Sequence, residues 1–544
     1  MSKKEILPIA KWIAALTGNG CGSEYEQAER GYDAYLARAQ LDDKVLAEQR
    51  AHSFLHAPRF FIVLTQRGKA SALQRTMEAL QQQTYSNWQL CDDPSETGEG
   101  VDFILRLEEG DVLPPHALYD FVFAQEKHPQ AALFYADEDA FVNGKRDCPV
   151  WKPDYSEVTA LSYDLFGRPL AIRRDIYLAC SSPTPDAAQA EEYAFALRCL
   201  AKAGEATHIP KVLLTRSARP RPMNTGDGCQ GVAAYLGEKK REDTVSTGLW
   251  QGSFYVAAKL SRKHRTAIII PNREGMDSLR RALESIEECC PMEEYQIVIA
   301  DGNSRGERLL RYYDLLEKNK AVRIVSCEKG GFAALCNAGA DAARSDGLLF
   351  FSRDAEMISP DTIRVLAAQS GRRGVGAAGC KLVDANRRIA FAGGVAGLCG
   401  KAGTPYAGME DLSPSACDAR RLTFTETLRT VTLLSGACMY VDTDVFLRAG
   451  RFDETFDDPD AQDVMPQGVD AELSLRLMRR GMVCVYTPLV RAILHRPLPA
   501  IEEAPERVAM RCQDTLRGLI LEGDPYYNPN FTLNRAEPQV KGEI

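Results

Sequence analysis

The fold is set most clearly by residues 267–304, which read AIIIPNREGMDSLRRALESIEECCPMEEYQIVIADGNS. The apolar run at 267–270 predicts a buried strand, and the spacing of apolar residues in 278–286 predicts an amphipathic helix that packs on it. A second apolar run at 296–300 predicts another strand. This strand–helix–strand order predicts parallel strands joined by a right-handed crossover.

The same plan occurs earlier in the chain. The run FFIVLT at 60–65 is followed by a helical pattern, and Ile62 aligns with Ile268 and Leu80 with Ile286, an offset of 206 residues in each case. A duplicated α/β domain explains this match. Two unrelated strand–helix openings remain the alternative.

We therefore predict an α/β protein with two domains and helical flanks. The first domain is expected at 58–218 and the second at 265–498. A connector at 219–264 opens in proline- and glycine-rich turn signals. The N-terminal flank, 1–57, and the C-terminal flank, 499–544, are each expected to be helical.

Composition narrows the class of protein. The 544 residues carry 66 Lys and Arg against 75 Asp and Glu, a net charge of −9, which argues against a nucleic-acid partner. Sixteen dispersed cysteines predict a reduced cytoplasmic protein. No apolar run of about 18 residues predicts a membrane span. The apolar spacing of 6–16 beside Lys3, Lys4 and Lys11 leaves two readings, a packed helix or a peripheral membrane contact.

Two acids follow predicted strands of the second domain. Asp301 ends the strand at 296–300, and Asp354 follows the apolar run at 348–351. Ligands of parallel sheets bind beyond the carboxyl ends of the strands, although each Asp would also suit a turn. There is no Walker-type GxxxxGK[ST] loop, and no GxGxxG follows the first predicted strand of either domain, so phosphate charge would be met by carboxylate-held Mn²⁺ or Mg²⁺. A further strand is predicted at 483–486, ahead of His495.

The second domain resembles the family-2 glycosyltransferases, in particular bacterial rhamnosyl- and galactosyltransferase-like enzymes of surface-polysaccharide assembly. The resemblance rests on IIIPN (268–272), IADGNS (299–304), FAALCNAG (332–339), LLFFSRDAE (348–356), GAC (436–438), FDE (452–454), DAELSLRL (470–477) and His495. The first domain resembles the same family through YADED (135–139), GKR (144–146), WKPD (151–154) and HIPKVL (208–213).

The resemblance implies two tandem glycosyltransferase A-type domains. It implies a nucleotide-diphosphate sugar donor, with UDP, dTDP or GDP as the nucleotide. It also implies a glycan or lipid-linked acceptor at the inner face of the plasma membrane, and a divalent cation, Mn²⁺ or Mg²⁺.

Site residues follow from the same resemblance. Asp470 is expected to be the catalytic base of an inverting transfer, and Asp354 the metal ligand, helped by His495 and Glu356. The residues expected to bind the donor are Pro271, Asn272, Asp301, Asn337 and Arg353. Gly436 and Glu472 are expected on the acceptor side, and Glu472 is the alternative to Asp470 as base.

The sequence also departs from the family. Ser352 and Arg353 stand where Asn or Asp is usual, and Arg353 would either repel a metal or pair with the diphosphate. In the first domain Gly110 falls where the metal Asp belongs. We therefore favour a degenerate first domain whose remnant site comprises Asp92, Asp93, Glu108 and Asp111.

Three alternatives stay open. The chain could be a non-catalytic pseudo-glycosyltransferase that binds nucleotide or glycan, or a bifunctional enzyme with both domains active. A nucleotidyltransferase is disfavoured, because its glycine- and lysine-rich loop is missing after 267–270. The acidic segment 457–468 is either an acceptor lid or a plain loop.

Overall fold

The computed structural model describes every residue except 1–30, 66–69, 92–101, 181–188, 220–222, 262, 291–294, 329, 459–463, 467, 500–505 and 543–544. The chain forms two compact units. The N-terminal unit runs to Tyr255 and includes Tyr527–Thr532 and Gln539–Ile544. The C-terminal unit comprises Val256–Tyr526 and Leu533–Pro538. The boundary thus falls inside the predicted connector, and the predicted C-terminal flank is divided between the units.

The N-terminal unit is built on a seven-stranded mixed sheet. Its strands are β1 (Phe60–Thr65), β2 (Trp88–Cys91), β3 (Phe103–Glu108), β4 (Leu133–Val142), β5 (Lys145–Val150), β6 (Leu170–Arg173) and β7 (Thr207–Arg216). The order is β2-β1-β3-β6-β4-β5, and β7 also pairs with β4. Its core contains Phe60, Ile62, Leu105, Phe121 and Phe134, so the apolar runs are buried as their patterns predict.

The helices of this region are α1 (Tyr32–Ala39), α2 (Asp43–Ala51), α3 (Ala70–Gln81), α4 (Ala117–Lys127), α5 (Glu157–Ala160), α6 (Arg174–Leu178), α7 (Gln189–Ala203) and α8 (Thr225–Glu238). Two short strands follow, β8 (Thr244–Thr247) and β9 (Phe254–Ala257). The Asn528 amide, from the end of the chain, donates to Asp137 Oδ2 and to the Lys152 carbonyl, both at 2.9 Å. Residues 527–532 therefore help complete the N-terminal unit.

The C-terminal unit is built on a ten-stranded mixed sheet. Its strands are β10 (Thr266–Asn272), β11 (Tyr295–Asp301), β12 (Val322–Ser326), β13 (Gly347–Phe351), β14 (Ala355–Met357), β15 (Val375–Asp384), β16 (Ile389–Phe391), β19 (Arg429–Val431), β20 (Cys438–Asp442) and β21 (Val483–Leu494); β17 (Val395–Ala396) and β18 (Ala402–Gly403) form a separate pair. The main order is β12-β11-β10-β13-β20-β15-β21-β14. β10 is buried along its whole length, as expected of a parallel strand covered on both faces.

The helices of the C-terminal unit are α9 (Met276–Cys289), α10 (Glu307–Leu316), α11 (Phe332–Ala342), α12 (Thr362–Ser370), α13 (Ala419–Thr425), α14 (Thr443–Ala449), α15 (Val469–Arg479) and α16 (Glu506–Glu522). α9 buries Leu279, Leu283 and Ile286, so its apolar stripe faces the sheet. Within the residues that can be described, no helix is long and apolar enough to cross a membrane.

The two sheets share one strand plan. In the N-terminal unit, β2-β1-β3 are parallel, β6 is antiparallel between β3 and β4, and β7 is parallel to β4. In the C-terminal unit, β11-β10-β13, β20, β15 and β21 repeat these positions and directions. The α/β class is therefore as predicted, and six strands of one sheet have counterparts of the same order and direction in the other.

Candidate functional site

The candidate site lies at the carboxyl ends of β10, β11 and β13, the edge where parallel sheets bind ligands. Asn272 and Asp301 are paired in the β10–β11 ladder, and the Arg353 guanidinium donates to Asn272 Oδ1 over 3.1 Å. Three of the predicted donor-binding residues are thus brought together. Pro271 lies one position earlier, opposite Ala300 in the same ladder.

The Asp301 carboxylate is held in a fixed orientation. Its Oδ2 accepts from the Ser304 backbone N–H at 2.8 Å, and its Oδ1 accepts from the Ser304 hydroxyl at 2.6 Å and the Tyr313 hydroxyl at 2.8 Å. Burial raises the pKa of Tyr313, so its hydroxyl keeps its proton and donates. Tyr313 also accepts from the Asn272 amide at 2.6 Å. Sequence reasoning missed Tyr313, because a tyrosine on the buried face of α10 carries no signal for a site.

The Asp354 carboxylate is buried, at 3% exposure. Its Oδ2 accepts no hydrogen bond from any residue that the structure describes. Two guanidinium groups lie near this oxygen, with Arg353 Nε at 3.7 Å and Arg496 Nη1 at 4.0 Å. Asp354 is therefore a desolvated carboxylate with one buried oxygen that accepts no hydrogen bond from the described residues and has two cations beside it.

Arg353 is fixed by its surroundings. Besides Asn272, its Nη1 donates to the backbone carbonyl of Arg273. A Cβ at position 275 would lie 2.7 Å from the Arg353 guanidinium. Glycine at this position leaves the room that the arginine side chain occupies.

His495 and Glu356 lie beside Asp354, on the edge formed by β14 and β21. The His495 backbone N–H donates to the Asp354 carbonyl at 2.9 Å, and its ring Nε2 is 2.7 Å from Glu356 Oε2. The imidazole and this carboxylate thus satisfy one another. Over the described part of the chain, no group of three or more His, Cys, Asp or Glu side chains is arranged to hold a metal ion.

A divalent cation nevertheless fits Asp354. Mg²⁺ is usually bound by one or two carboxylates together with substrate phosphates, and a complete cage of protein ligands is not needed. The buried Oδ2 of Asp354, which accepts no hydrogen bond from the described residues, is a carboxylate oxygen of this kind. The predicted partners His495 and Glu356 are close by but are bonded to each other.

Asp470 lies in the first turn of α15. Its Oδ2 accepts from the Gly436 backbone N–H at 2.8 Å, so these two predicted residues are brought together. A Cβ at Gly436 would lie 3.0 Å from the Phe332 ring and 3.3 Å from the Asp470 side chain. Burial raises the pKa of the Asp470 carboxyl, against the backbone hydrogen bonds that lower it.

Glu472 has a different environment from Asp470. Its Oε1 accepts from Arg476 Nε at 2.9 Å, and Arg476 also donates to the Ala449 carbonyl at 2.7 Å. Arg476 thus engages the Glu472 carboxylate in an ion pair. Among the residues that the structure describes, no cation is paired with Asp470, whose carboxylate accepts from backbone N–H groups.

Asn337 lies apart from the strand-end cluster. Its amide nitrogen donates to the Phe452 carbonyl at 2.9 Å, and its amide oxygen accepts from the Phe452 N–H at 3.1 Å. The nitrogen and the oxygen of the Asn337 side-chain amide thus both hold the loop that contains Phe452. The structure gives Asn337 a structural partner and does not bring it to Asp301 or Asp354.

The described part of the acidic segment packs against the C-terminal unit. The Asp457 carboxylate accepts from the Ala333 and Ala334 N–H groups at 2.8 Å, so it caps α11 and complements the helix dipole. Met465 is buried, with its sulfur 3.3 Å from the Ser352 hydroxyl. Residues 459–463 and 467 lie outside the described residues, and the lid remains a prediction.

The N-terminal unit has different residues at the matching positions. In the N-terminal unit Phe60 pairs with Phe103, and in the C-terminal unit Thr266 pairs with Gly347 in the same way. Seven positions after Phe103 and Gly347 stand Gly110 and Asp354, which are therefore counterparts. Similarly, Arg216 pairs with Ala140 as Leu494 pairs with Asp384, which makes Ser217 the counterpart of His495. Neither replacement has a ligand side chain of the predicted kind.

The remnant acids of the N-terminal unit are internally paired. Arg168 lies 2.7 Å from Asp111 Oδ2 and 3.2 Å from Glu108 Oε1, and all three side chains are buried or nearly so. The ladders make Arg168 the counterpart of Ala437. Burial raises the pKa of Asp111, against the opposing effect of Arg168. Asp92 and Asp93 lie outside the described residues.

Residues 267–391, in the C-terminal unit, match the family model described as Glycosyl transferase family 2. This match bears out the resemblance seen in the sequence of that unit and marks it as a glycosyltransferase domain.

Two curated relatives cover most of the chain. The O-antigen biosynthesis protein RfbC of Myxococcus xanthus is 27% identical over 450 residues, which are 80% of this chain and 34% of the relative. The uncharacterized protein y4gI of Sinorhizobium fredii is 24% identical over 527 residues, 86% of this chain and 56% of that protein. The chain thus spans between about a third and just over half of the length of these relatives.

Among solved structures, the chain is similar to the crystal structure of GalNAc-T7 with UDP, GalNAc and Mn²⁺. The TM-score is 0.37 and the identity 16%, over 48% of this chain and 49% of that one.

Proposed function

We propose that the chain transfers a sugar from a nucleotide-diphosphate donor (UDP, dTDP or GDP) to a glycan or lipid-linked acceptor, with inversion, in the C-terminal unit. One observation carries this proposal: a single turn bridges the two candidate acids. The Gly436 N–H donates to Asp470, while the carbonyl of the next residue, Ala437, accepts from the Ser352 N–H at 2.9 Å, two residues before Asp354. Base and donor site thus share one rigid connection.

Asp470 acts as the base in this proposal. Direct displacement at the anomeric carbon requires one group to take the proton of the acceptor hydroxyl. Because its carboxyl pKa is raised, Asp470 holds a proton more tightly than a solvated aspartate and is the stronger base. The best pKa of a general base lies near the working pH, so a raised value suits this role. No nucleophilic side chain is needed for a single displacement.

The leaving nucleoside diphosphate is expected to lie against Asp301, Asn272, Arg353 and Asp354. A divalent cation, Mn²⁺ or Mg²⁺, would be held by Asp354 together with the diphosphate oxygens, and it would stabilise the negative charge of the leaving group. His495 and Glu356 would orient this edge of the site. Arg353 adds a fixed positive charge beside the phosphates.

We infer that the N-terminal unit, the first domain of the chain, is a degenerate domain of glycosyltransferase A type. The chain would then be a tandem protein. The shared strand plan supports the duplication. Gly110 and Ser217 at the positions of Asp354 and His495 support a loss of catalysis there, and so does the internal pairing of Arg168. Its remaining role would be to scaffold or to bind glycan.

The surface-polysaccharide setting is supported by the relative from Myxococcus xanthus, which is named as an O-antigen biosynthesis protein. An acceptor of that kind would place the reaction at the inner face of the plasma membrane. The second candidate function is a pseudo-glycosyltransferase that binds donor without transferring it. Arg353 favours that candidate, because a cation 3.7 Å from Asp354 weakens the attraction for a metal.

A donor screen tests the proposal. The full chain is incubated with UDP-, dTDP- and GDP-sugars in Mn²⁺, Mg²⁺ or EDTA, and nucleotide release is measured beside Asp354→Ala and Asp470→Asn. Release with one donor that both substitutions abolish supports the transferase. Donor binding without release, in the presence of candidate acceptors, supports the pseudo-enzyme. Release that survives both substitutions contradicts the assignment of the site.

A further inference from the structure

Arg496 is a cation at the candidate site that neither the family resemblance nor the matched family region assigns. Its Nη1 lies 4.0 Å from Asp354 Oδ2, the oxygen that no described residue hydrogen-bonds. It follows His495 at the end of β21. Arg496 and Arg353 thus share one carboxylate oxygen.

The two arginines differ in freedom. Arg353 has a side chain that is 9% exposed and is tethered to Asn272 and to the Arg273 carbonyl. The Arg496 side chain is 49% exposed. Arg496 therefore presents about half of its side chain to solvent, where a ligand can reach it, whereas Arg353 is held at the strand end.

The charges of this cluster match a diphosphate. Two guanidinium groups lie within 4.0 Å of the same Asp354 oxygen, at the edge where the diphosphate is expected. A guanidinium binds phosphate oxygens through two parallel hydrogen bonds, which it cannot form with Asp354 at 4.0 Å. A nucleoside diphosphate is therefore a better partner for Arg496 than the carboxylate it now faces.

We propose that Arg496 binds the diphosphate of the incoming nucleotide sugar, and that its guanidinium moves from Asp354 to the phosphates as the donor enters. This inference rests on the proposed function, and it adds a donor-binding residue to that site. The exchange has a second effect. It frees Asp354 Oδ2 for a divalent cation at the moment when phosphate oxygens arrive to complete the coordination.

Calorimetric titration of the full chain with UDP, dTDP and GDP tests the proposal without any need for turnover. In EDTA, Arg496→Gln should weaken binding of the preferred diphosphate about tenfold or more, the usual size of a lost hydrogen bond to a charged group. Arg496→Lys should fall between wild type and Arg496→Gln, because an ammonium keeps the charge without the planar fork. Arg308→Gln, which removes an exposed cation from α10, should bind as wild type does.

Asp354→Asn supplies an independent readout. In EDTA it should bind the diphosphate at least as tightly as wild type, because both guanidinium groups then lose their competing carboxylate. An Arg496→Gln protein with wild-type affinity would overturn this inference and leave the proposed function standing. If wild type binds none of the three diphosphates with or without Mn²⁺, the proposed function fails and this inference fails with it.

Discussion

The two units share the order and direction of their core strands, yet the acids at the same edge of the sheet are paired differently. In one unit an arginine pairs with them at hydrogen-bonding distance, and in the other an acid keeps an oxygen without a hydrogen bond from the described residues. In the N-terminal unit, Arg168 fills the strand end and pairs with Glu108 and Asp111. In the C-terminal unit, alanine takes the place of that arginine, and Asp354 keeps an oxygen without a hydrogen bond from any described residue. A shared backbone plan therefore does not preserve a site. Whether the acids at the edge are neutralised from within decides what the edge can bind.

The same contrast holds one strand further along. Asp137 of β4 and Lys381 of β15 are counterparts in the ladders. Asp137 faces His208, with Asp137 Oδ1 2.9 Å from the imidazole Nε2, whereas Lys381 lies 3.0 Å from Asp411. The N-terminal unit thus stabilises this position with an imidazole, and the C-terminal unit with an ammonium–carboxylate pair.

The largest effect is expected from Asp470→Asn. Removing the base should lower kcat by about 10²- to 10⁴-fold, with little change in donor affinity. The comparison is Glu192→Gln, which removes an acid from the first turn of α7 in the other unit, and it should leave kcat unchanged. Nucleotide release under saturating donor measures both. An equal loss of activity in the two variants would contradict a single active unit.

Arg168→Ala should destabilise the N-terminal unit by about 3–5 kcal/mol, because it leaves Asp111 and Glu108 buried without their cation. Urea unfolding followed by tryptophan fluorescence measures this, since Trp88, Trp151 and Trp250 all belong to that unit. Arg173→Ala breaks an exposed pair with Asp175 and should cost no more than about 1 kcal/mol. Similar losses in both variants would mean that the internal pairing does not stabilise the closed edge.

Gly110→Asp restores the acid of the family pattern but should not create a second active site. Gly110 has φ +97, and a Cβ there would lie 2.8 Å from the Ser217 Cβ. Strain of this kind costs about 1–3 kcal/mol. Gly144→Asp is the control, because Gly144 has a similar φ of +79 and open space around the added atom. The free energies of unfolding of the two variants separate the clash from the backbone strain. A new, EDTA-sensitive nucleotide release in Gly110→Asp would refute the prediction.

The smallest effect is a pH dependence confined to the N-terminal unit. His208 is buried with Asp137 at Nε2 and Asp154 at Nδ1. Despite burial, which lowers it, these carboxylates raise the pKa of His208 above its ordinary value. The stabilisation is therefore complete below the unfolded pKa and is lost as pH rises through the raised folded pKa. Urea midpoints by tryptophan fluorescence should fall in wild type as the pH rises through the raised pKa of His208. His208→Gln should flatten this trend, and an unchanged slope would contradict it.

Sequence patterns predict the strands that are continuous apolar runs and miss those that bury charge. The run at 133–136 predicts a strand that stops before Asp137, yet β4 continues to Val142 because Lys152 and Arg216 pair with the buried Glu138. The strand predicted at 483–486 extends as β21 to Leu494. A register shift between Cys380 and Lys381 of β15 accommodates extra residues in β21, so that the pairing continues. Partners distant in the chain decide both outcomes.

The candidate site likewise contains residues that the sequence singles out and residues that only the structure reveals. Asp301, Asp354 and Asp470 follow strand ends or begin a helix, so local pattern and family order are enough to single them out. The partners that set their chemistry, such as Tyr313 and Arg496, come from other elements and carry no motif of their own. Arg168 is 57 residues away from Asp111, and only the folded sheet reveals that it closes the edge.

The position of Asn528 has a consequence for the order in which the chain folds during synthesis. Domains generally fold as units, the N-terminal one first, while the ribosome is still adding residues. Here Asp137 Oδ2 and the Lys152 carbonyl receive their amide donor from a residue that is translated 391 and 376 positions later. The first unit to emerge therefore waits for nearly the whole polypeptide before these two buried acceptors receive their donor.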